Sequence, residues 1–283
     1  MKIFKRLLLI FSIFFVVLIA LAIILPIVYK KEILAKTKEE INKNVRAKVD
    51  FDGIDLSLFS HFPNFTFKLN DYSVVGIDDF EGVPLAKGES FAFTVDLWTL
   101  INRKGPFQIK SIYMEKPDIN VLVRKDGRAN YDITIPTDER IKEEAATTDY
   151  SSFAGELQKY AIHQANLVYD DRSMDFYMGI KDMNHSGKGN FTIDVFDLVT
   201  HTDMAELTVK YGGISYLKKA KVDYDAIFNI DQKNSKYTFK DNVLTLNALQ
   251  LKTDGFVQLK GNDIGMDLDF STPQSDFKDL WSM

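Results

Sequence analysis

The sequence predicts a membrane-anchored, mainly β protein: a single N-terminal transmembrane helix, then an antiparallel sheet with short capping helices. Three observations carry this reading. Residues 7–28 contain no charged side chain, and Lys2, Lys5 and Arg6 precede them while Lys30 and Lys31 follow. At about 1.5 Å per helical residue this stretch reaches roughly 33 Å, enough to cross a bilayer core of ~30 Å. Beyond residue 49 the apolar side chains recur with a period of two, the spacing of strands covered on one face. The aromatic content, 22 Phe and 12 Tyr against 2 Trp, favours the same pleated, half-buried surfaces.

The elements follow in order. Residues 1–29 form the anchor, interrupted only by Ser12 and by Pro26 near its end, where a lost hydrogen bond is easiest to re-satisfy. A cleaved signal peptide competes with this reading, since Ala20-Leu21-Ala22 has the small-x-small form. Cleavage there would leave the apolar Ile23-Ile24-Leu25 at the new N-terminus, and the run exceeds a usual signal core of roughly 7–15 residues, which favours a retained anchor. Lys2, Lys5 and Arg6 on a very short tail place the N-terminus in the cytoplasm and the main domain across the membrane. Residues 30–48 follow as an amphipathic helix, with Ile33, Leu34, Thr37, Ile41 and Val45 along one stripe.

Residues 49–135 make a first β-region. Phe65, Phe67 and Leu69 alternate with Thr66 and Lys68, and Phe91, Phe93, Val95 and Leu97 with Ala92, Thr94 and Asp96. Residues 136–155, poor in large apolar side chains, read as a linker or mobile excursion. Residues 156–283 make a second β-region, read as truncated at its C-terminus. It begins with a brief helix over 153–163 and continues with alternating runs at Phe191/Ile193/Val195, Leu207/Val209/Tyr211, Val222 to Ile230 and Met266/Leu268/Phe270. Turns are expected at Asp126-Gly127, Ser186 to Gly189, Asp231 to Ser235 and Asp254-Gly255, and a last helix from Ser275.

Composition excludes several classes. A net charge of −5 with no basic blocks gives no expectation of nucleic acid, and zero cysteines remove disulfides and thiolate metal sites. His61, His163, His185 and His201 fall in separate elements without metal-ligand spacing. No nucleophile elbow, P-loop or dinucleotide fingerprint is present. The acidic pairs Asp78-Asp79 and Asp170-Asp171 read as turn or polar-face residues. We expect no enzyme, no cofactor and no metal. What remains is an apolar strand face that must be hidden from water, either in an ordinary core or under something greasy.

Specific residues bear on that choice. Val49 to Ser57, then Phe62-Pro63 leading to Leu69, then Gly82-Val83-Pro84-Leu85-Ala86 and Phe91 to Leu100, form a recurring order of strand signals. Pro117-Asp118-Ile119-Asn120-Val121 followed by Asp126-Gly127-Arg128-Ala129-Asn130-Tyr131 is the most specific stretch, and Ile162 to Asp171 continues the series. This order resembles the N-terminal part of the AsmA family of bacterial envelope proteins, with Tyr131 where Trp is more usual. The resemblance implies an inner-membrane anchor, a curved or groove-forming sheet in the periplasm and a role in outer-membrane biogenesis. Larger members resemble bridge-like lipid-transfer proteins. On that basis we expect a non-catalytic protein that binds or conveys phospholipid acyl chains, with Phe91, Phe93, Val95, Phe65 and Phe67 as lipid contacts. The rival is an anchored scaffold for envelope assembly proteins, with its apolar face closed.

Overall fold

The computed structural model describes residues 29–57, 64–96, 109–135, 157–261 and 263–273. The chain divides into two units at Asn44, and the described part of the first is one helix, α1 (Lys30–Asn44). Thr37, Asn42 and Asn44 each return a side-chain hydrogen bond to the carbonyl four residues back, and Lys43 pairs with Glu39 at 2.7 Å. The helix stops short of the expected residue 48. Val45 instead bridges to Thr134 and Ala47 opens the first strand, so sheet pairing takes over where the helical stripe predicted one more turn. Among the described residues no helix is long and apolar enough to cross a membrane; the predicted span at 7–28 lies outside them. The predicted C-terminal helix from Ser275 and the whole of the 136–155 linker also lie outside them.

The second unit is one 13-stranded sheet. Its strands are β1 (Ala47–Asp50), β2 (Gly53–Ser57), β3 (Asn64–Gly76), β4 (Pro84–Asp96), β5 (Ile109–Glu115), β6 (Asp118–Val123), β7 (Lys159–Asp171), β8 (Phe176–Lys188), β9 (Val195–Tyr211), β10 (Ile214–Asp231), β11 (Lys236–Leu246), β12 (Leu249–Lys260) and β13 (Asp263–Ser271). From β7 onward each strand pairs antiparallel with the next, as short turns require. The expectation of a purely antiparallel sheet fails at one place: β5 and β6 both run parallel to β7. Parallel neighbours need a long crossover, and the residues between Val123 and Lys159 supply its length. The two predicted β-regions are therefore halves of one sheet.

β5 and β6 act as one interrupted strand between β4 and β7. The break falls at Lys116 (φ 47°) and Pro117, where the Lys116 N–H reaches the His163 carbonyl at 2.8 Å and the Pro117 carbonyl accepts from Asn166 N–H. Pairing with β5 also explains why residues 159–163 are strand rather than the predicted helix: Tyr160 lies opposite Ile112 and Ile162 opposite Met114. Two expected turns and one expected strand also change. Ser186 to Lys188 belong to β8 and Asp254-Gly255 to β12, while Phe191 and Ile193 sit in the turn before β9. Asp126-Gly127 and Asp231 to Ser235 are turns as expected, with Gly127 at φ 82°.

Bulges recur across β7–β11, and each is held by a side chain. Gln164 (φ 52°) donates its N–H to Asn184 Oδ1 at 3.0 Å, and Asp182 (φ 47°) donates to Asn166 Oδ1 at 3.2 Å. Lys219 (φ 55°) donates to Thr208 Oγ1 at 3.2 Å. Beside Asp241 (φ 50°), Asn242 Oδ1 accepts from Ile227 N–H at 2.7 Å. A bulge bends its strand and adds twist, so these bulges curve the sheet locally.

Candidate functional site

The register sorts the side chains onto two chemically different faces. One row runs Leu69, Phe91, Met114, Ile162, His185, Thr202, Tyr224, Leu244, Leu251, each opposite the next on successive strands. A parallel row runs Val74, Ala86, Ile119, Leu167, Ile180, Leu207, Ala220. Most large side chains in both rows are half-buried. On the edge strand β13, Ile264, Met266 and Phe270 are 62%, 63% and 61% exposed.

Four of the five predicted contacts form one aromatic cluster at the β3–β4 end of this face. The Phe65 and Phe67 rings meet edge-on at 4.7 Å, Phe67 stacks on Phe93 at 5.1 Å, and Phe91 lies 6.1 Å from Phe93. All four are half-buried and present ring surface. Val95, opposite Phe65, is only 2% exposed and supports the cluster from within. Tyr72 extends the cluster, its ring 6.4 Å from Phe91 and lying over Gly88, where a Cβ would fall 2.6 Å from the hydroxyl. Burial pushes the Tyr72 hydroxyl up to about 12, and that hydroxyl has no hydrogen-bond partner among the described residues.

The other face is polar and laced across strands. Lys181 and Lys219 both reach Glu206, at 3.2 and 3.4 Å, and Asn229 and Lys240 both reach Asp197, at 2.8 and 3.0 Å. His201 bonds Asp225 at 2.8 Å, which raises its pKa above the usual imidazole value; Asp223 lies within the same group. Ligand atoms of His201, Asp223 and Asp225 lie within 4.8 Å of one another, a cluster the spacing of histidines along the chain could not show. All three are exposed, and the His201–Asp225 hydrogen bond accounts for their proximity without an ion.

A polar hollow of about 510 Å³ opens near Arg46, Asp78, Asp79 and Arg128. Arg46 pairs with Asp78 at 3.3 Å, Arg124 with Asp79 at 3.4 Å, and Arg128 with both Asp79 and Asp126. Cation and carboxylate neutralise each other there, tying the turn after β3 to the turn after β6. Beside it Asn130, 3% exposed, accepts from Leu122 N–H at 2.9 Å and donates to the Asn120 carbonyl at 2.7 Å. The Asp-Gly-x-x-Asn stretch singled out in the sequence is thus a clamp on β6.

Fold and site together define a class: a mainly β protein built on a single large mixed sheet, with a largely apolar, half-buried face and a polar one. The AsmA family model matches residues 1–280, nearly the whole chain, and the chain belongs to the AsmA family. Comparison with curated proteins and with solved structures gave no match.

Proposed function

We propose that this AsmA-family chain is an inner-membrane protein, held by the apolar span at 7–28, whose periplasmic sheet binds or conveys phospholipid acyl chains in outer-membrane biogenesis. One observation carries the reading: apolar side chains line one face of the sheet on strands from β3 to β12, interrupted midway by His185, Thr202 and Tyr224, and most of the large ones stay half-buried. A closed scaffold core would bury these side chains almost completely. Each CH₂ removed from water yields ~0.8 kcal/mol, so acyl chains laid on such a surface are retained by contact alone, without a catalytic group. The Phe65/Phe67/Phe91/Phe93 cluster provides flat aromatic surface at one end of the track.

The test is native mass spectrometry with lipid extraction on the full chain, purified in mild detergent from a bacterial envelope. The reading expects co-purifying phospholipid near one or more per chain, and its loss in a folded Phe93→Asp variant. A folded, lipid-free wild-type chain would overturn it in favour of a protein-binding scaffold.

A further inference from the structure

Midway along the apolar face lies a band of polar side chains on adjacent strands. Tyr160 Oη stands 3.3 Å from His185 Nε2, and His185 Nδ1 stands 2.7 Å from Thr202 Oγ1. Tyr224 lies opposite Thr202 on the next strand, and Asn242 follows on β11, two residues from Leu244. Apolar residues flank the band on both sides, Met204 opposite Val222 on one and Leu198 opposite Phe228 on the other.

The band holds more donors than it spends. A neutral imidazole has one donor and one acceptor nitrogen. If Tyr160 donates to Nε2, then Nδ1–H donates to Thr202 and the Thr202 hydroxyl proton is unspent. In the other tautomer Thr202 donates to Nδ1 and the Tyr160 proton is unspent. Either way one O–H is left over. The Tyr224 hydroxyl has no described hydrogen bond, and Asn242, 1% exposed, uses Oδ1 on Ile227 while its Nδ2 has no partner. Buried polar groups are otherwise almost always paired, so surplus donors here are a signal, and the half-buried Tyr160 and Tyr224 are the ones a ligand on this face can reach, with Asn242 buried beneath. No Lys or Arg belongs to the band, which therefore suits an uncharged acceptor rather than a phosphate.

We propose that this band is a hydrogen-bonding subsite for the acyl-ester carbonyls of a diacyl lipid, fixing where along the sheet the glycerol end of the lipid comes to rest. The subsite rests on the acyl-chain reading above. Tails then run onto the flanking apolar side chains, and the headgroup leaves the open face into water.

The experiment compares a diester phosphatidylcholine with its diether analogue, which has the same tails and headgroup but no carbonyls. Each is offered in detergent to the delipidated full chain, and bound lipid is counted by native mass spectrometry. Wild type is expected to retain the diester about 5–20-fold better, the worth of one or two hydrogen bonds. Tyr160→Phe/Tyr224→Phe, which keeps both rings, is expected to bind both lipids at the diether level. Equal retention of the two lipids by wild type overturns the subsite and leaves acyl-chain binding standing. Retention of neither overturns both. A variant with wild-type circular dichroism that keeps the ester preference overturns the assignment of these donors.

Discussion

Gly187→Ala is a one-carbon change whose effect can be worked from the geometry. A Cβ at 187 would lie 2.4 Å from Tyr160 Cζ, 2.5 Å from its oxygen and 2.6 Å from Cε1. Carbon contacts normally settle near ~3.5–4.0 Å, so the ring must swing off β8. Overpacking of this kind costs about 1–3 kcal/mol. The swing also gives up the Tyr160–His185 hydrogen bond, worth about 0.5–1.5 kcal/mol. We expect a loss of about 2–4 kcal/mol, which for a sheet of this size lowers Tm by roughly 5–15 °C. Circular dichroism melts of wild type, Gly187→Ala, Tyr160→Ala and the double variant form a cycle. With the ring gone the new methyl meets nothing there, so the double variant should match Tyr160→Ala, giving a coupling equal to the Gly187→Ala loss, about 2–4 kcal/mol. Additive losses, or a Gly187→Ala melt within a degree of wild type, would refute the cross-strand stacking.

Three further outcomes are expected. Asn130→Ala should destabilise by about 1–3 kcal/mol for each backbone group left unpaired, at Leu122 N–H and the Asn120 carbonyl; a urea midpoint unchanged from wild type would show that β6 does not need the clamp. Asn242→Leu should cost about 1–3 kcal/mol by orphaning Ile227 N–H at the β11 bulge, with faster amide exchange there; exchange rates equal to wild type would contradict it. His185 and His201 should titrate stability in opposite senses. His201 is raised above 6.5 by its bond to Asp225, so its stabilisation is full at lower pH and is lost as pH rises through the folded value. His185 is lowered from 6.5, first by burial and then by His201, so stability is lost as pH falls through 6.5 towards its folded value. Urea midpoints over roughly pH 5–8 should therefore fall with pH in His185→Gln and rise with pH in His201→Gln; slopes of the other sign would reverse the assignment.

The strands were legible because period-two alternation is a local signal. Phe65, Phe67, Phe91 and Phe93 stand on the predicted strands and on one face, since alternation alone fixes which side chains share a side. The run 159–163 reads as helix because Tyr160 and Ile162 fit either period; pairing with β5 makes it strand. Gly187 and Gly255 predict turns because glycine marks turns on average. In the sheet the first makes room for a tyrosine ring, and the second, at φ 114°, lies where a Cβ would meet the Asp267 carbonyl oxygen at 2.0 Å.

By itself, then, the sequence determined the mainly β class, the aromatic-rich apolar face and the family resemblance, because periodicity, composition and short motifs act within a few residues. Only the tertiary structure decided that both β-regions are one sheet, that β7 runs parallel to β5 and β6, and that Tyr160, His185, Thr202, Tyr224 and Asn242 fall on neighbouring strands. Those facts depend on register between distant segments. A shift of one residue would turn every side chain of a strand to the other face, and no local pattern records which partner it meets.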